Sequence, residues 1–224
     1  MFLVANVLIL FFLCSTKSND PDEIIAIPTK MVFMENNRFG YEVKFLNLPF
    51  NYKPVDKNWC IEKCISLGFT YKEPNINQNL TANMIPIDVY FHDQGLFDVL
   101  SELICKDSKY NLDIFRNTSK NLIKNKDIKK FINNDRWFKN DLKSHIEQKN
   151  PRFIKPLWEL YIFAAAYYLD VCIYVFKDSQ NIWVYFRKGW PKYKKVDMKN
   201  EKCIYLYMYE RINYINVVTN VTGP

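Results

Sequence analysis

The stretch His92–Cys105, HDQGLFDVLSELIC, decides how the rest of this chain is read. A turn-like His-Asp-Gln-Gly runs directly into apolar residues at Leu96, Phe97, Val99, Leu100, Leu103 and Ile104. That spacing puts one apolar stripe on a helix beginning just after Gly95. A loop that ends at a helix N-terminus favours negative charge, through its free N–H groups and the helix dipole. A thiol held there ionises easily. The residue at that point is Gly95, which carries no side chain.

Working outward toward the C-terminus, Leu112–Phe131 is predicted as a second helix. Leu112, Phe115, Leu122 and Ile123 lie on one side, and Lys120, Lys124, Lys126, Lys129 and Lys130 face solvent. A polar helix is expected over Asp135–Gln148, before Pro151. Trp158–Leu169, WELYIFAAAYYL, is apolar nearly all round and feeds into Asp170–Phe176, DVCIYVF, a β-branched and aromatic strand. Such a pair is a core helix-to-strand unit. Asn181–Phe186, Cys203–Tyr209 and Tyr214–Val218 complete the expected sheet. Toward the N-terminus, Pro21, Pro28, Pro49, Pro54, Pro74 and Pro86 leave room only for short elements. Ile24–Ile27, Lys30–Met34 and Tyr41–Phe45 read as short strands, and Trp59–Leu67 as one or two helical turns.

Taken together, His92-Asp93-Gln94-Gly95-Leu96-Phe97 with the following Leu100-Ser101 resembles the opening motif of the ovarian tumour (OTU) family of cysteine proteases, Asp-Gly-Asn-Cys-Leu-Phe before a helix. Trp158-Glu159-Leu160, Ala164-Ala165-Ala166 and Ile173-Tyr174-Val175 are similar to the family's tryptophan-led, alanine-rich helix and the strand after it, with a Gly-Gly pair missing. The close, Arg211-Ile212-Asn213-Tyr214-Ile215-Asn216-Val217-Val218, resembles the family's final His-Tyr and apolar strand. The resemblance implies an α+β OTU-like domain of the papain-like cysteine protease superfamily over residues 87–218. Its small mixed β-sheet would be packed between helices, with 19–86 an N-terminal extension and 219–224 a tail. It also implies removal of ubiquitin as the ancestral activity.

The residues that chemistry would need are replaced. Gly95 falls on the nucleophile position, Asn213 on the histidine, and Ile215 on its acidic or amide partner, while Asn216 comes one place late on the opposite strand face. Thiol proteolysis requires a thiolate, a base and a group orienting the base. The chain has two histidines, His92 in the opening loop and His145 in the polar helix, and neither is near the last strand. The expectation is therefore a catalytically inactive domain whose cleft serves as a binding or effector surface. Its partner would be a protein ligand, such as ubiquitin or a ubiquitin-like fold. The alternative is an active OTU-type thiol deubiquitinase using Cys60, because Asp56-Lys57-Asn58-Trp59-Cys60-Ile61 echoes the same opening motif. A structural protein that kept only the scaffold is a third possibility.

Composition sets the remaining bounds. With 49% hydrophobic and 17% aromatic residues in 224, the chain fits one ordinary domain and is not globally disordered. Met1–Ser18 has an apolar run from Phe2 to Leu13, which suits a signal peptide and falls short of the roughly 20 residues of a membrane span. Secretion is the expected destination, with no membrane span after its removal; an uncleaved anchor is the alternative, because the segment lacks a positive n-region. Losing Lys17 with it takes the formal charge from +7 to +6. Sequons at Asn79, Asn117 and Asn220 would be open to glycosylation on that route. Of the six cysteines, Cys14 lies in the signal, leaving five and hence an odd thiol. Cys60 and Cys64 read as a pair or as two half-buried thiols. Cys172 and Cys203 read as buried thiols, or as a bridge if their strands are neighbours. No zinc spacing exists, and neither a metal nor a cofactor is expected. Lys188, Lys192, Lys194, Lys195 and Lys199 mix with Trp190 and Tyr193 in a loop, read as a mobile hairpin tip rather than a nucleic-acid site.

Overall fold

The computed structural model describes residues 24–34, 38–47, 52–72, 95–132, 158–180, 182–189, 201–209 and 214–218. Its centre is a six-stranded mixed sheet in the order β2-β1-β4-β3-β5-β6. The strands are β1 (Ile24–Met34), β2 (Arg38–Asn47), β3 (Cys172–Lys177), β4 (Ile182–Phe186), β5 (Cys203–Tyr209) and β6 (Tyr214–Val217). β1/β2, β3/β4 and β5/β6 pair antiparallel, whereas β1/β4 and β3/β5 pair parallel. The helices are α1 (Lys57–Ser66), α2 (Leu96–Cys105), α3 (Asn111–Lys124), α4 (Lys126–Phe131) and α5 (Trp158–Leu169). The mixture is in keeping with the α+β class.

The central strands are apolar without interruption because both faces of the sheet are buried. On one face Ala26, Ile173, Val175, Val184, Phe186, Ile204, Leu206, Met208 and Ile215 join side chains of the helices in the main core. On the other, Ile25, Ile27, Tyr174, Tyr185, Tyr205 and the cysteines 172 and 203 form a second, smaller core. Alternation along each strand sorts the residues between these two cores. Every described helix with a residue in a core contributes to the first one. Tyr52 closes part of the second face, its ring 4.6 Å from that of Tyr205 and its hydroxyl donating to Val218 O at 2.8 Å.

α5 has no polar face: Leu160 to Ala166 are all buried, and the alanine run lets it lie close against its neighbours. Phe97 of α2, Phe115 of α3 and Tyr161 of α5 meet with ring centroids 5.2 to 5.7 Å apart and lock these three helices together. α5 ends at Leu169, and Asp170, with a φ of 50°, turns the chain toward β3. The strand therefore starts at Cys172, two residues later than expected.

Two other expectations are corrected. The single helix over Leu112–Phe131 is two, because Asn125 (φ −72°, ψ 124°) leaves helical geometry and its side chain accepts from the N–H groups of Asp127 and Ile128. An asparagine side chain that caps a new helix competes well with continuing the old one. The proline-rich N-terminal part also holds more than short elements of an extension. Ile24–Ile27 and Lys30–Met34 belong to one 11-residue strand with a register irregularity between Pro28 and Lys30, where proline offers no N–H. That strand joins the central sheet through Ile25 and Ala26, opposite Trp183 and Val184 of β4. The helix expected over Asp135–Gln148 lies outside the described residues. Among the described residues no helix is long and apolar enough to cross a membrane.

Candidate functional site

Gly95 is the N-cap of α2, as the sequence pattern requires. Its φ of −82° and ψ of 171° are ordinary extended values, so the backbone does not demand glycine there. What occupies the helix N-terminus is the carboxylate of Asp98. It accepts from Gly95 N at 3.0 Å and from Asn111 Nδ2, the first residue of α3. This is a capping arrangement at N-cap and N3, and it places a negative charge where the dipole favours one. A Cβ at position 95 would lie 3.4 Å from Asp98 Oδ2. The site thus already contains its anion, supplied by the chain. Sequence reasoning missed Asp98 and Asn111, although the Gly95-x-x-Asp98 spacing is a capping signal that could have found the first of them.

α2 packs against β6, which brings Gly95's helix beside the strand carrying Ile215. Ile215 pairs with Met208 and is 1% exposed within the main core. A carboxylate at that position would sit among Leu, Phe and Ile side chains without water. Asn213, His92 and His145 lie outside the described residues.

Cys60 is placed away from this helix end. It is the fourth residue of α1, one turn in from the N-cap Asp56, whose side chain accepts from Trp59 N at 2.8 Å. The thiol is free and buried. Burial raises its pKa, an effect Lys106 opposes and Asp56 adds to. A nucleophilic thiol needs the reverse environment, partly exposed and electropositive.

The other cysteines are paired. Cys64 of α1 bridges to Cys105 at the end of α2, with Cα atoms 5.3 Å apart, which corrects the reading of Cys60 and Cys64 as a pair or as two half-buried thiols. Cys172 and Cys203 are directly opposed on the parallel strands β3 and β5, 4.7 Å apart at Cα, and also bridge. Glu201 lies beside this second bridge, with all three potential donor atoms within 4.8 Å of one another. The sulfurs are bonded to each other, however, and the carboxylate receives Arg187 Nε at 2.8 Å and the Tyr185 hydroxyl at 3.0 Å. Burial, then the charge of Glu201, pushes the Tyr185 hydroxyl far upward, so it remains a neutral donor.

Among the sequons, Asn117 stands within α3, and its Nδ2 donates to the Tyr168 hydroxyl at 3.2 Å. Ser119 of the same sequon is 1% exposed. A glycan on Asn117 would have to displace that hydrogen bond at the α3–α5 contact. Asn79 and Asn220 lie outside the described residues, as does most of the basic loop. No protein-family model matches this sequence, and no curated protein matches it.

Proposed function

We propose that this chain is a secreted OTU-like domain that has lost catalysis and uses its cleft to bind a protein ligand. The observation that carries the reading is the state of the α2 N-terminus. Where a thiol nucleophile would stand there is Gly95, and the anion-favouring position beside it is filled by Asp98. The buried Ile215, where a polar partner of the base would stand, points the same way. Cys60 supports no rival mechanism, since its burial and raised pKa hold it as a thiol. Secretion is supported by the apolar Met1–Ser18 segment and by two disulfides, a feature of oxidising compartments. Ubiquitin or a ubiquitin-like fold is the ligand class that the resemblance offers.

The test pairs a ubiquitin suicide probe with a pull-down on unmodified ubiquitin, using purified protein. The expected result is no covalent adduct and retained non-covalent binding. An adduct that disappears in Cys60→Ala would overturn the inactive reading. Absence of both adduct and binding would remove ubiquitin as the ligand. Edman sequencing or mass spectrometry of protein from its native source should find Met1–Ser18 absent. An intact Met1 would contradict secretion by this route.

A further inference from the structure

β2 is an edge of the sheet, and among the described residues no strand lies outside it. It is 10 residues long and holds no proline, so nothing in its sequence prevents a further strand from pairing there. Thr29 Oγ1, on β1, donates to Glu42 O at 3.1 Å, which shows that the main-chain groups of Glu42 face β1. In an antiparallel pair the N–H and C=O of one residue point the same way, and successive residues alternate. Those of Val43 and Phe45 therefore point to the outer side of β2.

The side chains along this edge are complementary to themselves. Glu42 and Lys44 flank Val43, are both exposed, and share a sheet face with Leu46, which packs on the smaller core. Among the described residues the Glu42 carboxylate reaches Lys30 at 4.0 Å, between two half-exposed side chains, and Lys44 has no ion-pair partner. Phe45, on the opposite face, is 53% exposed.

We propose that β2 pairs antiparallel with β2 of a second copy of this chain, about a two-fold axis at Val43. Val43 exchanges both main-chain hydrogen bonds with its counterpart. Glu42 comes opposite Lys44 of the second copy, and Lys44 opposite its Glu42, so one contact forms two ion pairs. These are positions whose main-chain groups face away from the new neighbour, where opposed Cα atoms approach to about 4.5 Å and side chains lie closest. Phe45 comes opposite the second copy's Tyr41, which covers part of its exposed ring. Charge selects this register over its neighbours. An axis at residue 42 would set Glu42 against Glu42, and one at residue 44 would set Lys44 against Lys44, both destabilising. Because the contact uses the same edge on both copies, it closes at two. A single strand pair lies at the low end of interface sizes, so the dimer forms as concentration rises rather than being permanent.

The test is sedimentation equilibrium of the purified full chain over a concentration series, with charge variants beside it. The unaltered chain should dimerise with rising concentration. Lys44→Glu and Glu42→Lys should each weaken self-association by at least about tenfold, since each sets two like-charge pairs across the axis. An equimolar mixture of these two variants should recover association as a mixed dimer, each supplying the charge that the other lacks. A chain that stays monomeric up to its solubility limit would overturn the proposal. So would variants that dimerise as tightly as the unaltered protein, or that fail to recover on mixing. Should a charge variant not fold, Val43→Pro decides. It deletes an N–H directed at the second copy and none directed at β1, so the folded monomer should remain while the dimer disappears. Unchanged dimerisation of Val43→Pro would show that this edge is not the contact.

Discussion

At Gly95, one carboxylate determines what can be rebuilt. A cysteine introduced there gains from the α2 dipole, which lowers its pKa. It also gains a neighbour in Asp98, whose oxygen lies 3.4 Å from the new Cβ and whose charge raises the pKa. The thiol in Gly95→Cys should therefore ionise at a higher pH than in Gly95→Cys/Asp98→Asn, read from the pH dependence of alkylation. Identical profiles would show that Asp98 does not act on this position. Adding Ile215→Asp is expected to fail by unfolding, since it buries a carboxylate in the main core. A second residue-scale prediction concerns Lys177, which is 5% exposed and pairs with Glu159 at 3.1 Å while its ammonium lies 5.0 Å from the Tyr41 ring centroid. Because Glu159 is partly solvated, Glu159→Gln should cost about 2 kcal/mol in urea unfolding, below the range for a fully buried pair. A loss under a few tenths would mean that the lysine's other surroundings suffice.

At the scale of elements, caps rather than periodicity set the boundaries. The lysine-rich stretch after Asn111 keeps helical spacing past residue 124, yet Asn125 divides it by capping α4 with bonds of 2.8 and 3.2 Å to Asp127 N and Ile128 N. Asn125→Ala should lower stability by about 1 kcal/mol. The loss should appear as a reduced urea midpoint with unchanged slope. No change at all would mean that the two helices rejoin without cost. α2 shows the same principle at its own start, where Asp98 caps Gly95 and Asn111 holds Asp98 in place. The helix that carries the candidate site is thus fixed by polar contacts at one end and by a disulfide at the other.

For the molecule as a whole, the two bridges tie together parts that are distant in sequence. Cys64–Cys105 closes a separation of 41 residues and Cys172–Cys203 one of 31. By loop-closure entropy each stabilises the fold by about 4 kcal/mol. The Cys172→Ala/Cys203→Ala variant should lose stability of that order in urea, although β3 and β5 keep their parallel pairing. An undiminished midpoint would show that the bridge adds nothing through the unfolded chain and that the strand pairing holds the folded state without it. The bridges also explain why the N-terminal part cannot be treated as an appendage: α1 is covalently held to α2, and β1 lies within the sheet.

The sequence by itself determined the local elements. The apolar spacing after Gly95 marked α2 from Leu96 to Cys105, and the apolar run Trp158–Leu169 marked α5 with the ends found in the structure. Both rest on short-range periodicity and propensity, which neighbouring residues fix. Tertiary structure alone decided the rest. Which cysteines bond depends on which strands and helices become neighbours, and the sequence left Cys172–Cys203 open and offered Cys60–Cys64 in place of Cys64–Cys105. That β1 enters the sheet beside β4 depends on pairing residues some 158 positions apart, such as Ile25 with Trp183. That Asp98 fills the α2 N-terminus and Ile215 is sealed in the core depends on burial, and burial belongs to the assembled molecule rather than to any one stretch of it.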